Sequence, residues 1–226
     1  PGTKRPPNII LIVADDLGWN DISLNGGGVA GGIVKTPNID ALARQGLNFT
    51  TAYAANATCS PSRAAMMTGR YPTRFGFEFT AVPTAFAENL AHGGGLGPLK
   101  AVFHKELITD DIPDYPDMGV PPSEITIAEA VKAAGYHTIH IGKWHLGEAP
   151  RLQPNAQGFD ESLAILAGGA KFLPDDDPDT VNAKLPWDPI DRFIWANLRH
   201  AVTFNGGKRF HPQGHMTDYF AAEAEK

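Results

Sequence analysis

The segment Asn8–Ala14 (NIILIVA) constrains the fold most. It is a continuous apolar run rich in β-branched residues, with no alternation of polar and apolar positions. A strand with one wet face alternates, whereas a strand covered on both faces does not. The run is strand-sized, so it reads as a strand buried on both faces, as in a parallel sheet flanked by helices. It ends abruptly at Asp15-Asp16.

Helices and strands then alternate. Thr36-Pro37 opens a helix through Ile39, Leu42 and Ala43 that Gly46 closes. Asn48–Ala54 alternates like a strand. Ser60-Pro61-Ser62 starts a helix through Ala64, Ala65, Met66 and Met67 that Gly69 stops. The stretch from Phe75 to Pro122 is irregular, with many Gly and Pro. Ser123 caps a helix reaching Ala134, Gly135 ends it, and Tyr136–Ile141 is a strand. Leu173–Pro189 reads as an acidic loop, and a further helix begins at Met216. This order predicts an α/β fold with a mainly parallel sheet. No repeat or linker interrupts it, so residues 1–226 read as a single domain.

Composition removes several function classes. The 226 residues are 42% apolar and 19% charged, which excludes a wholly disordered chain. The net charge is −6 and the basic residues are scattered, which argues against a nucleic-acid partner. No apolar run approaches the length of a membrane span. A single cysteine, Cys59, precludes an internal disulfide. No signal peptide is visible, and a start at Pro1 rather than Met is expected of a processed or trimmed product.

Three constellations could carry chemistry. Asp15-Asp16 follows the first strand, where α/β sheets gather ligands, and paired carboxylates suit Ca²⁺ or Mg²⁺. A solvated turn is the plainer reading. Cys59 stands at a helix start with Arg63 one turn on, so a thiol, a helix dipole and a guanidinium converge. The plainer reading is a structural cysteine beside a surface arginine. Gly135–Gly147 (GYHTIHIGKWHLG) brings Lys143 and His145 to a strand end, on one face by alternation, with Trp144 on the other. A cation beside an imidazole suits anion stabilisation and proton transfer, although each residue alone is commoner as a solvent or network group. The acidic run Asp175-Asp176-Asp177 with Asp179 matches no known metal loop, and His200, His211 and His215 lack metal-ligand spacing.

The segment Ala57-Thr58-Cys59-Ser60-Pro61-Ser62-Arg63-Ala64-Ala65-Met66-Met67-Thr68-Gly69 closely resembles the signature of the type I sulfatases. Gly135-Tyr136-His137-Thr138-Ile139-His140-Ile141-Gly142-Lys143-Trp144-His145 resembles that family's second signature. Pro7–Gly18 is similar to its first strand and metal-binding turn, and Thr36–Ala43 fits as well. The resemblance implies an alkaline-phosphatase-like α/β fold and hydrolysis of sulfate esters of small molecules or carbohydrates. It implies that a formylglycine-generating enzyme converts Cys59 to formylglycine, whose hydrate attacks sulfur. The second hydroxyl of that hydrate then expels sulfate. By the same resemblance Asp15, Asp16 and residue 59 bind one Ca²⁺. Arg63 holds the hydrate, Lys143 contacts nucleophile and sulfate, and His145 hydrogen-bonds the second hydroxyl. The compartment implied is periplasmic or extracellular, with a cytoplasmic enzyme as the alternative.

The sequence departs from the family in one respect. The later metal-ligand pair, and a later His and Lys that contact the sulfate, have no match before Lys226. The chain therefore reads as the N-terminal portion of a longer protein, with a sheet incomplete at its C-terminal side and inactive alone. Two other functions compete: a phosphonate monoester hydrolase or phosphodiesterase of the same superfamily, and a non-catalytic binder of sulfated ligands.

Overall fold

The computed structural model describes residues 5–92, 102–180 and 198–226. The chain forms two compact units, Pro1–Ala54 and Ala55–Lys226.

The first unit contains α1 (Ser23–Gly26), α2 (Val29–Gly32) and α3 (Pro37–Gln45). α3 is the expected helix, with Pro37 in its first turn and Gly46 as its C-cap. Its start is fixed by Asp40, whose carboxylate accepts from Ser23 Oγ at 3.0 Å and Thr36 Oγ1 at 2.8 Å. The two expected strands of this unit are absent. Residues 8–14 join no ladder, and Ile10 and Ile12 are each 82% exposed. Residues 48–54 also join no ladder, and Phe49 and Tyr53 are exposed. Apolar composition selects a covered environment, but a strand exists only where another segment supplies its hydrogen-bond partners. The strands formed by the described residues pair only with one another.

The second unit contains α4 (Cys59–Thr68), α5 (Thr84–His92), α6 (Ile127–Ala133) and α7 (Met216–Ala224). Its strands are β1 (Ile139–Lys143), β2 (Glu161–Ile165) and β3 (Thr203–Phe204), in sheet order β1-β2-β3. β1 and β2 are parallel, with Ile139 opposite Glu161 and Lys143 opposite Ile165. β3 is antiparallel to β2, with Leu163 opposite Phe204. The residues of β2 alternate between two cores, as the strand period requires. Leu163 and Ile165 pack with Val202 and Met216, against which Tyr219 and Phe220 also lie. Ala164, with Leu166 just beyond the strand, packs with Ala64, Phe77, Val120, Trp144 and Leu146. The sheet thus meets α7 through one core and α4 through the other.

Two expected boundaries shift, and one helix is unexpected. The cap of α6 is Thr126, not Ser123. Thr126 Oγ1 accepts from Glu129 N at 3.1 Å, and Glu129 Oε2 accepts from Thr126 N at 2.7 Å. This reciprocal box satisfies two donors, whereas Ser123 has no acid three residues on. β1 begins at Ile139 rather than Tyr136, because Tyr136 N closes the helix end on Val131 O and Thr138 N donates to Asp160 Oδ2. α5 lies inside the stretch expected to be irregular. Its sequence TAFAENLAH is rich in helix formers, but the Gly and Pro around it mask the signal. Residues 181–189 of the expected acidic loop lie outside the described residues.

Candidate active site

α4 carries Cys59 as its first residue, after the extended N-cap Thr58. Asn56 fixes the approach: its Oδ1 accepts from Thr58 N at 2.9 Å and from Thr58 Oγ1 at 3.0 Å. Ser62 Oγ returns a hydrogen bond to Asn56 O at 2.6 Å. The positive end of the helix dipole therefore sits at Cys59. The Cys59 side chain is partly buried, with Sγ 3.9 Å from Thr80 Oγ1.

The same helical turn grips the end of β1. Arg63 Nε donates to Trp144 O at 3.0 Å, and Arg63 Nη2 donates to Lys143 O. Ser60, 1% exposed, donates Oγ to His145 O at 2.6 Å. Three successive carbonyls, those of Lys143, Trp144 and His145, are thus held by two side chains of α4. This grip brings Cys59, Arg63, Lys143 and His145 into one place. It also shows Arg63 working through the main chain, a contact that the sequence did not suggest.

Strand alternation does not extend to His145. β1 ends at Lys143, and His145 adopts φ 59°, in the left-handed region. The expected shared face of Lys143 and His145 therefore has no basis in strand geometry. Trp144 is buried, and its Nε1 donates to Leu152 O at 2.9 Å. His145 is 7% exposed, and Gly168 makes room for it. A Cβ at Gly168 would stand 2.6 Å from His145 Nε2. Left-handed backbone in a non-glycine residue is costly and clusters at functional sites. Asp16 (φ 57°), Ala30 (φ 52°) and Asn205 (φ 48°) share this region.

His140 lies behind this turn. Its ring meets Trp144 and Phe159 edge-on, at 5.3 Å and 5.4 Å between centroids. Burial, and then the Arg63 guanidinium, push its pKa down to about 4. The ring is therefore neutral near pH 7.

Asp15 and Asp16 belong to the first unit, in an exposed turn. Their carboxylates are the donor type that hard cations take, but they supply few of the six to eight oxygens of a Ca²⁺ shell. Among the described residues no group of three or more His, Cys, Asp and Glu side chains is arranged to hold a metal. Sequence reasoning missed Ser60, Asn56 and Gly168. Ser60 is legible only as part of a helix start, and Gly168 looks like any turn glycine.

A family model described as Sulfatase matches residues 7–183. The chain belongs to the sulfatase family. N-acetylgalactosamine-6-sulfatase of Mus musculus is 37% identical over 194 residues, covering 85% of this chain and 32% of that protein. Arylsulfatase A of Homo sapiens is 38% identical over 164 residues, covering 71% of this chain and 25% of that protein. The crystal structure of Ps i-CgsB superposes with TM-score 0.68 at 33% identity, over 97% of this chain and 40% of that one. The same protein in complex with k-i-k-neocarrahexaose gives TM-score 0.66 at 32% identity, with the same coverage. This chain spans between about a fifth and a third of the length of the curated relatives it matches. Its fold class is that of the sulfatases, the alkaline-phosphatase-like α/β fold. Among the described residues, no helix is long and apolar enough to cross a membrane.

Proposed function

We propose that this chain carries the nucleophile-bearing part of an enzyme that hydrolyses sulfate esters to an alcohol and inorganic sulfate. The observation that carries the reading is the grip of α4 on residues 143–145, which sets the helix start at Cys59 beside Lys143 and His145. Formylglycine made from Cys59 supplies a hydrated aldehyde as nucleophile and a second hydroxyl for release of sulfate. The N-terminal dipole of α4 favours negative charge at that position. Lys143 stabilises the charge that develops on the sulfuryl oxygens. His145, held by its own main chain and by the space at Gly168, exchanges a proton at the nucleophile. Arg63 orients the strand end through the carbonyls of Lys143 and Trp144 and adds a fixed positive charge. Asp15 and Asp16 would hold Ca²⁺, which supplies further charge neutralisation.

The substrate class that fits is a sulfated carbohydrate. One relative is named for N-acetylgalactosamine, and one structural neighbour is described in complex with k-i-k-neocarrahexaose. A periplasmic or extracellular location accords with such substrates. The test is the mass of the peptide bearing residue 59 after expression with a formylglycine-generating enzyme, followed by turnover of an aryl sulfate and an aryl phosphonate by the full-length protein. An aldehyde or its hydrate, with preference for the sulfate, is the expected result. An unmodified thiol, in a host that converts a control sequence, would remove the nucleophile and favour a binder of sulfated ligands. Preference for the phosphonate would move the assignment to that branch of the superfamily.

A further inference from the structure

His140 is a polar residue set into an apolar cluster. Its ring packs edge-on against Trp144 and Phe159, and those two rings meet edge-on at 6.0 Å between centroids. Trp144 belongs to the core that β1 and β2 share with Ala64 of α4, and Phe159 lies against that core. Within this packing His140 Nδ1 is buried, and among the described residues it makes no hydrogen bond. A buried polar atom without a partner is costly, and a phenylalanine would fill the same space without that cost. Packing does not account for an imidazole here.

The electrostatics of the ring point to Arg63. Burial and the Arg63 guanidinium disfavour a proton on His140, and the Lys143 main chain favours one. Trp144 and Phe159, packed on the ring, carry no charge. The main-chain oxygen of Lys143 is also the one that Arg63 Nη2 holds. A neutral ring leaves this oxygen to Arg63. A protonated ring would be a second cation drawn to the same oxygen, and it would repel the guanidinium.

We propose that His140 is a positioning residue: its uncharged imidazole leaves Arg63 on the carbonyls of Lys143 and Trp144, and a proton on the ring loosens that hold and slackens residues 143–145. His140 touches no reacting atom in this scheme. Its effect on turnover rests on the sulfate-ester reading of the site, whereas its effect on Arg63 does not. The consequence is an acid limb in turnover that belongs to none of the reacting groups.

The test uses the full-length protein expressed with a formylglycine-generating enzyme, as wild type, His140→Phe and His140→Gln. The first variant keeps a ring and the second a polar group, and neither takes up a proton. The kcat for 4-nitrophenyl sulfate is measured from pH 6 to pH 3.5 per folded molecule, with the folded fraction read by circular dichroism at each pH. Each protein is compared with its own value at pH 6, so titrations common to all three cancel. A ring that titrates near pH 4 is about three-quarters protonated at pH 3.5, so the wild type should lose about fourfold more turnover than the variants. Equal losses in the wild type and in either variant that folds overturn the inference, since a ring that only fills space imposes no such limb. A wild type without turnover at any pH is instead a failure of the sulfate-ester reading. The Arg63 Nε–H resonance of the wild type, followed by NMR over the same range, then decides the inference. A change that tracks the His140 ring signals sustains it, and a resonance that stays constant while the ring titrates overturns it.

Discussion

Arg63 holds the end of β1 through two main-chain carbonyls. Its planar fork spans Lys143 O and Trp144 O, and a lysine has one nitrogen to offer in that place. Arg63→Lys should lose about 1–3 kcal/mol of stability, read from the urea midpoint, because a part-buried carbonyl is left unpaired. Gly168→Ala should act differently. Its new Cβ would press on the far end of the His145 ring, so the ring shifts while the backbone is spared. The expected outcome is a large drop in turnover with nearly unchanged melting temperature. Equal losses of both would show that Gly168 serves folding rather than the site. His140 adds a pH dependence. Its ring titrates near 4 when folded against 6.5 when free, so the unfolded chain binds more protons between those values. Stability should therefore fall as pH drops from about 6.5 toward 4, and the fall should be shallower in His140→Phe. Urea unfolding at several pH values reads this directly. Cys59, Lys143 and His145 were legible in the sequence because their types and spacing are chemical. The contacts that assemble them were not, because Ser60 and Arg63 address main-chain oxygens 80 to 85 residues away, and any residue carries such oxygens.

At the scale of elements, helices were read better than strands. A helix closes its hydrogen bonds within itself, so Pro37 and Gly46, or Gly69, announce its ends locally. A strand depends on a distant partner, and residues 8–14 and 48–54 have the composition without the pairing. α6 illustrates a finer point. Thr126 and Glu129 form a reciprocal cap that the neighbouring Ser123 obscures in the sequence. Thr126→Ala should cost about 1–2 kcal/mol, since its hydroxyl also donates to Gln157 O at 2.7 Å inside the core. Ser123→Ala should change stability by no more than about 0.5 kcal/mol. Thermal melts of the two variants compare them, and equal losses would contradict the assigned cap.

At the scale of the whole molecule, the two cores of the second unit use both faces of β2. The parallel β1–β2 pair and its covering helices place Lys143 at a carboxyl strand end, where α/β folds concentrate chemistry. The carboxylates of Asp15 and Asp16 are the proposed Ca²⁺ ligands. If they hold Ca²⁺, millimolar Ca²⁺ should raise the melting temperature and EDTA should reverse the rise, by the mass-action term of about 2.7 kcal/mol at a hundredfold excess over Kd. Asp15→Asn with Asp16→Asn should abolish the shift. A shift that survives the double substitution would place the cation elsewhere.

The grip of α4 on residues 143–145 also sets an order of events during synthesis. Ser60 and Pro61 are buried, and Arg63 is engaged, once the second unit has closed. An enzyme that must read Cys59, Pro61 and Arg63 as an open peptide can do so only before that closure. If residue 59 is converted as proposed, that conversion is in a race with folding. A chain that folds first would keep its thiol permanently, stable in structure and silent in chemistry.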